Sequence, residues 1–427
     1  MNNLKIAIIG AGSTYTPELI EGIILRSSSL PVTELVLMDI DKPKLDIVGG
    51  LCQRMIEKAG LNIRFSLTLE LEPALTGADF VMSQIRVGKL PCRILDEKIP
   101  LKYGLIGQET TGIGGFFKAL RTIPAMLQIA KEMERLCPEA WLINFSNPSG
   151  IVAEALQKHS RIKTLGLCNV PINMYAEVEQ TLGEKQLEIQ YVGLNHLSFI
   201  TGIRKGNMEL LGEALARGLE GQGMKNIPLQ GFSKELIKTI GAIPSSYLEY
   251  YYYRDEKLKH LLAEEKCRGE ICMEIEEQLL RLYQQEELKD KPKELEKRGG
   301  ARYSEAAISL VDAIYNDKRE IHVVNVRNQG ALEFMEAEDT VEISAVIGSS
   351  GASPIPVKNF NNPHVIELMR TVKAYERHTV KAAVNGDDEE AMRALLIHPL
   401  VGDYHKAKLC YEEMKEAHRE YLPQFKL

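Results

Sequence analysis

The opening segment constrains this chain more than any other. In KIAIIGAGSTYTPELI a short apolar run meets Gly10-x-Gly12 and then an amphipathic stretch. The run reads as a buried strand, the glycines as a tight turn, and the residues from Thr16 onward as a helix. Glycine at the first position permits the turn. At the second it lets the backbone approach a pyrophosphate, which then rests on the helix N-terminus. Gly10, Gly12, Ser13 and Thr14 are thus candidates for holding a dinucleotide, the plain alternative being an ordinary glycine turn. Tyr15 departs from the fingerprint, because glycine or alanine there normally lets helix and strand close up. Asp39 ends the next apolar run, TELVLMD. A carboxylate at that place accepts from ribose hydroxyls and repels a 2′-phosphate, so the expected cofactor is NAD.

Further strand-like runs follow in IRFSLTL, ADFVMSQI and WLINFSNP, alternating with helical patterns such as KLDIVGGLCQRMIEKAG. This alternation predicts an α/β fold with a Rossmann-type, doubly wound parallel sheet. After KTLGL the pattern changes. YVGLNHLSFITGIRKGNMEL reads as antiparallel strands turning at Lys205-Gly206, with His196 inside an apolar strand. Residues 247–283 read as helical and charged, KDKPKELEKRGG as a polar connection, and about the last sixty residues as helical again. The expected division is an NAD-binding domain over 1–175 and a second α/β (α+β) domain over 176–427 that binds substrate and metal. A chain of 427 residues exceeds what one core usually serves.

The net charge of −7 argues against nucleic acid and acidic membrane surfaces as partners, so an anionic substrate must be held by local arginines. Seven cysteines without a CxxC pair fit a reduced interior better than a disulfide framework. The N-terminus does not resemble a signal peptide, and no apolar stretch approaches the ~20 residues of a membrane span. The expected location is the cytoplasm.

Five further places carry candidate chemistry. Cys168, in LGLCNVPINM, stands before Pro171 at a predicted helix N-terminus, where it is either a packed core thiol, a nucleophile or a ligand for a soft or borderline metal. His196 is either a core histidine or a second ligand; two protein ligands leave coordination positions for substrate and water. IPSSYLEYYYYR holds five tyrosines, Tyr247 and Tyr250 to Tyr253. They form a packing wall, or one is a general base whose pKa near ~10 must be lowered by a neighbour. Glu109 lies in the glycine-rich loop GLIGQETTGIGG, read as a helix cap or as a loop that presents the carboxylate to the reacting centre. Asn147-Pro148 follows a strand and can place an amide at the carboxyl end of the sheet, or simply turn the chain.

Taken in order, GAGSTYTPEL, GLIGQETTGIGGFFKALRTIP, NFSNPSG, GLCNVP, GLNHLSF, SSYLEYYYY and KRGGARYSEAA resemble glycoside hydrolase family 4. These glycosidases stand outside the usual two-carboxylate mechanism. The resemblance implies NAD and a divalent metal, Mn2+ by analogy, and a fold similar to lactate and malate dehydrogenases. It implies oxidation at sugar C3, removal of the C2 proton, elimination of the glycosidic oxygen, addition of water and return of the hydride. By the same resemblance Cys168 and His196 hold the metal, Tyr247 is the base with Tyr250 to Tyr253 as alternatives, and Glu109 raises its basicity. Arg93 and Asn147 contact substrate, and Arg268 contacts the sugar phosphate. A homodimer or homotetramer is also implied.

Asn169, next to Cys168, cannot donate a catalytic proton. Asparagine followed by Val-Pro resembles the 6-phospho-β-glucosidases, whereas aspartate there resembles enzymes for α-linked substrates. Asn169 then contacts a sugar hydroxyl, caps the following helix, or does both. The implied substrate is a phosphorylated glycoside such as cellobiose 6′-phosphate. Three other readings stay open: a 2-hydroxy-acid dehydrogenase, for which no His-Asp pair stands out; a family 4 enzyme for another sugar; and a non-catalytic NAD-binding regulator.

Overall fold

β1 (Leu4–Ile9) is buried along its whole length, as a strand covered on both faces must be. The computed structural model describes residues 4–218, 231–298 and 303–425. After β1 come α1 (Thr16–Leu25), β2 (Val32–Met38), α2 (Lys42–Lys58), β3 (Arg64–Thr68), α3 (Leu71–Leu75), β4 (Phe80–Ser83), α4 (Lys89–Lys102), α5 (Gly112–Leu136), β5 (Trp141–Asn144), α6 (Ser149–His159) and β6 (Lys163–Gly166). The six strands are parallel and lie in the order β3-β2-β1-β4-β5-β6, the doubly wound arrangement expected from the alternating pattern. Right-handed crossovers place the helices on the two faces and gather the strands' carboxyl ends along one edge.

Beyond α7 (Val170–Leu182) the chain forms a small antiparallel sheet from β7 (Glu188–Leu194), β8 (Leu197–Lys205), β9 (Met208–Glu209) and, after α8 (Leu211–Arg217) and α9 (Lys234–Ile240), β10 (Ile243–Pro244). The turn at Lys205-Gly206 is present, with Gly206 at φ +58°. His196, however, is not in a strand. It occupies the two-residue turn between β7 and β8 at φ +65°. The apolar run on either side hides this hairpin, because neither turn residue is glycine.

Residues 247–283 are helical in pieces: a 3-10 turn at Ser246–Leu248, α10 (Glu249–Tyr252), α11 (Arg254–Ala263) and α12 (Arg268–Tyr283). The polar connection contains a 3-10 helix, Lys293–Arg298, and leads to α13 (Tyr303–Tyr315). Three strands the sequence pattern did not disclose come next: β11 (Glu320–Arg327), β12 (Thr340–Gly348) and β13 (Gly351–Pro354). They extend the first sheet, β11 pairing antiparallel with β6 at Asn325 and Gly166, and complete nine strands. The large sheet thus draws on residues well past 175. The chain closes with α14 (Pro363–Asn385), α15 (Asp388–Ile397) and α16 (Tyr404–Ala417).

The main core surrounds the nine-stranded sheet. A second core under the small sheet joins Val170, Met174, Tyr191, Ile200, Tyr247 and Tyr250. The candidate site lies where the two meet.

Candidate active site

The turn after β1 is built as its glycines require. Gly10 has φ +85°, and a Cβ there would stand 2.9 Å from the backbone carbonyl carbon of Gln84. Its N–H and that of Ala11 both donate to the Met38 carbonyl at 2.9 Å. Asp39 braces the turn from below: its carboxylate accepts the N–H of Gly12 at 2.8 Å and that of Asp41 at 2.9 Å. Each carboxylate oxygen keeps a lone pair for a ribose hydroxyl. The Thr14 hydroxyl is buried without a hydrogen-bond partner, at the N-terminal end of α1. A cradle that a single methyl would fill, an orphaned hydroxyl at a helix N-terminus and a carboxylate after the second strand fit a dinucleotide. Tyr15 fits because the face that a third glycine would open is covered here by other residues. Its ring lies 5.4 Å under the Arg298 guanidinium, and the Tyr283 hydroxyl donates to the Thr14 carbonyl at 2.8 Å.

Cys168 follows β6 and half-buries its thiol before α7, whose first turn holds Pro171. The β7–β8 turn brings His196 to it, with Nε2 3.6 Å from Sγ. That separation lets one divalent ion bond to both atoms, since metal–nitrogen and metal–sulfur bonds are each a little over about 2 Å. Burial holds the His196 imidazole neutral, with its pKa lowered to about 3, and leaves its lone pair free to ligate. Burial also pushes the Cys168 thiol up to about 12, the Glu342 carboxylate adding to the effect against hydrogen bonds from the Val170 backbone and the Asn195 side chain. Among the described residues no three His, Cys, Asp or Glu side chains cluster to hold a metal. The donor pair therefore fits an ion that takes its other ligands from substrate and water.

Tyr247 stacks on the His196 ring, 4.0 Å between centroids and 18° between planes. Burial raises its phenol, with Cys168 and Glu109 adding to the rise and a hydrogen bond to Thr110 opposing it. The neighbouring tyrosines are engaged elsewhere. The Tyr251 hydroxyl pairs with Thr111 at 3.1 Å, that of Tyr252 with His364 at 2.9 Å, and that of Tyr253 accepts from the Ser233 N–H at 3.1 Å. Tyr250 is buried in the second core.

Glu109 is the centre of a cationic cluster. Its carboxylate meets Arg93 at 2.9 Å, Lys118 at 2.7 Å and Arg86. Burial pushes this carboxyl up, but the three cations outweigh it and hold it well below the usual range. Arg93 is itself buried and donates to Glu97 at 2.8 Å. The Glu97 carboxylate also accepts the N–H of Gly269 at 2.6 Å, which docks the start of α12 on α4. Arg268, the preceding residue, is half-buried and donates to the carbonyls of Lys297 and Arg298 at 3.2 and 3.0 Å. Asn147 joins Pro148 through a cis peptide, and its side-chain oxygen is buried without a partner. Asn169 stands at the N-cap of α7 but makes no side-chain capping bond, and its amide nitrogen is buried without a partner. The capping role is thus not the one this amide plays.

Sequence reasoning overlooked Arg86 and Lys118. The signal for Lys118 was a lone lysine within the apolar run GIGGFFKALRTIP, which a buried helix tolerates only with a partner. It also overlooked a His-Asp pair: His418 Nε2 lies 3.0 Å from Asp96, which Arg121 grips with two bonds of 2.9 and 2.6 Å. Both His418 and Asp96 are fully buried, so the pair fastens the C-terminal segment to α4 instead of facing a ligand.

Fold and site together define an α/β protein with a turn that fits a dinucleotide, in which a thiol, an imidazole and a phenol converge at the junction of the two sheets. Residues 5–184 match the family 4 glycosyl hydrolases and residues 191–401 match the family 4 glycosyl hydrolase C-terminal domain. The chain belongs to glycosyl hydrolase family 4. It is 44% identical to the 6-phospho-beta-glucosidase of Escherichia coli over 99% of its own length and 97% of that protein. The structure of the Thermotoga maritima 6-phospho-beta glucosidase with manganese, NAD+ and glucose-6-phosphate is 34% identical, with a TM-score of 0.90 over 98% of this chain and 99% of that one. Lactate dehydrogenase from Eimeria maxima, 15% identical with a TM-score of 0.58 over 90% of this chain and 96% of that one, shares the fold alone.

Proposed function

We propose that this chain hydrolyses 6-phospho-β-glucosides, with NAD and a divalent metal such as Mn2+ as cofactors. The observation that carries the reading is the Cys168–His196 pair at 3.6 Å with the Tyr247 ring stacked on the imidazole, beside an asparagine in place of an acid. When bound, the nicotinamide supplies a hydride acceptor and donor for sugar C3, and the metal supplies positive charge at the neighbouring oxygens. The turn at Gly10, Gly12, Ser13 and Thr14, with Asp39, holds the dinucleotide. Cys168 and His196 hold the metal.

Tyr247 takes the proton from sugar C2. Its phenol starts high because it is buried, which makes the phenolate a strong base once a nearby cation lowers the cost of forming it. Glu109 keeps its charge through Arg86, Arg93 and Lys118 and biases the phenol toward basicity. Asn169 offers an amide hydrogen bond to a sugar hydroxyl and cannot protonate the leaving oxygen, which departs from the opposite face in a β-glycoside. Asn147, Arg93 and Arg268 position the sugar and its phosphate; Arg93 does so from behind Glu109. The same reading includes a cytoplasmic homodimer or homotetramer.

The test compares p-nitrophenyl β-glucoside 6-phosphate with its α-anomer in the presence of NAD+, Mn2+ and reductant. Cleavage of the β-anomer alone, lost in Tyr247→Phe, is expected. Cleavage of the α-anomer alone would overturn the anomeric reading. A hydroxy acid giving stoichiometric NADH, with neither glycoside cleaved, would overturn the hydrolase.

A further inference from the structure

Glu342 lies on β12 among Val341, Ile343 and Ala345, and its side chain is buried. A carboxyl withdrawn from water is costly unless its oxygens are satisfied, so a strand that only had to pack would not carry one. Its partners are neutral and specific. One oxygen accepts the amide N–H groups of Asn195 at 3.0 Å and Asn325 at 3.2 Å, and the other accepts the Tyr191 hydroxyl at 2.9 Å.

Asn195 is the residue that precedes His196 in the β7–β8 turn. Its side-chain oxygen accepts the Gly150 N–H at 3.3 Å, so the amide is gripped from both ends. Gly150 belongs to the first turn of α6, and a Cβ there would stand 2.8 Å from the Asn195 Cβ. The turn is thereby pinned between α6 and β12, two elements of the large-sheet layer. It needs pinning: His196 sits at φ +65°, a conformation that non-glycine residues adopt reluctantly.

We propose that Glu342 is a positioning residue for the metal pair. Through Asn195 it holds the β7–β8 turn so that His196 Nε2 already faces Cys168 Sγ before an ion arrives. The inference rests on reading Cys168 and His196 as ligands. Outer partners that orient ligating side chains commonly set metal affinity by about 10- to 100-fold.

The test measures Mn2+ binding to the full chain by electron paramagnetic resonance of the free ion, without substrate, and NAD+ binding by calorimetry. Glu342→Leu is expected to weaken Mn2+ about 10- to 100-fold and to leave NAD+ within about twofold, since the dinucleotide turn lies at the other strands. Glu342→Gln keeps an oxygen for both asparagine amides and offers an N–H to the Tyr191 hydroxyl, so it should stay within about threefold of the unaltered chain. Unchanged Mn2+ affinity in Glu342→Leu overturns the proposal, as does a glutamine variant as weak as the leucine one. If Glu342→Leu loses NAD+ as well, Asn195→Ala decides: weakened Mn2+ binding with intact NAD+ binding supports the role, and unchanged Mn2+ binding overturns it. Cys168→Ser separates the two levels. Unaltered Mn2+ affinity there contradicts the ligand reading itself, whereas loss there with an unaffected Glu342→Leu contradicts only the positioning role.

Discussion

Replacing Glu109 by glutamine should cost this protein several kcal/mol of stability, and the charge count around it says why. Three cations, Arg86, Arg93 and, below about pH 7, Lys118, face two carboxylates, Glu109 and Glu97, so there the cluster carries one net positive charge. Glu109→Gln raises that to two while Arg93 and Lys118 stay buried. Removing one partner of a buried pair costs about 3–5 kcal/mol. Lys118→Met removes a positive charge instead and leaves the cluster neutral, so it should cost no more than about 1 kcal/mol. The lysine also sets a pH signature. Burial and Arg86 lower its pKa to about 7, against about 10.4 in the unfolded chain. Between these values the unfolded state binds the extra proton. Stability therefore rises with pH across that window, by at most about 1.4 kcal/mol per unit, and Lys118→Met abolishes the rise. Urea unfolding can be followed by the fluorescence of Trp141, the chain's single tryptophan, which packs over Gly351. A Glu109→Gln variant within about 1 kcal/mol of the parent at about pH 6, where Lys118 is charged in the folded chain, or a Lys118→Met variant as unstable as it, would refute the charge count.

Other outcomes follow from the same geometry. Gly10→Ala places a methyl 2.9 Å from the Gln84 backbone at φ +85°, and calorimetry should find NAD+ affinity reduced at least about tenfold. Asp96→Asn leaves the Arg121 charge buried and loosens His418, so it should lower stability by about 3–5 kcal/mol. Because that group lies outside the site, kcat/KM at low temperature should stay near the parent value; a large loss of activity with unchanged stability would contradict a purely fastening role. Tyr252→Phe, which removes only a hydroxyl bonded to His364, should leave C2 proton removal intact, whereas Tyr247→Phe should abolish it, as deuterium exchange at C2 can check.

The sequence disclosed those parts of the fold that are written locally. The apolar run, Gly10-x-Gly12 and helix start of the first unit lie within a few residues of one another, so the dinucleotide turn and its parallel sheet could be read directly. Asp39 was legible for the same reason. The β7–β8 turn was not, because Asn195 and His196 are flanked closely by the apolar YVGL and LSFI and neither turn residue is glycine. Nor were β11 to β13 legible: β11 joins β6 across a long stretch of chain and carries β12 and β13 with it, and no local pattern announces a partner so distant. Cys168 and His196 could be named as separate candidates, but their meeting depends on β6 and the small sheet converging. The ion pairs around Glu109 and the Asp96–His418 contact are likewise tertiary. What a sequence does offer there is the anomaly itself: Lys118 in an apolar helix and Glu342 in an apolar strand are each costly to bury, and each turns out to be held by specific partners.

Oxidation at C3 with removal of the C2 proton leaves its own mark when the reaction is run in D2O. The protein, with NAD+, Mn2+ and reductant, is given p-nitrophenyl β-glucoside 6-phosphate, and released p-nitrophenol, NADH and deuterium at sugar C2 are followed together. Cleavage with deuterium incorporated at C2 and no accumulation of NADH is expected. Cleavage that proceeds without C2 deuterium, or without NAD+, would contradict that chemistry.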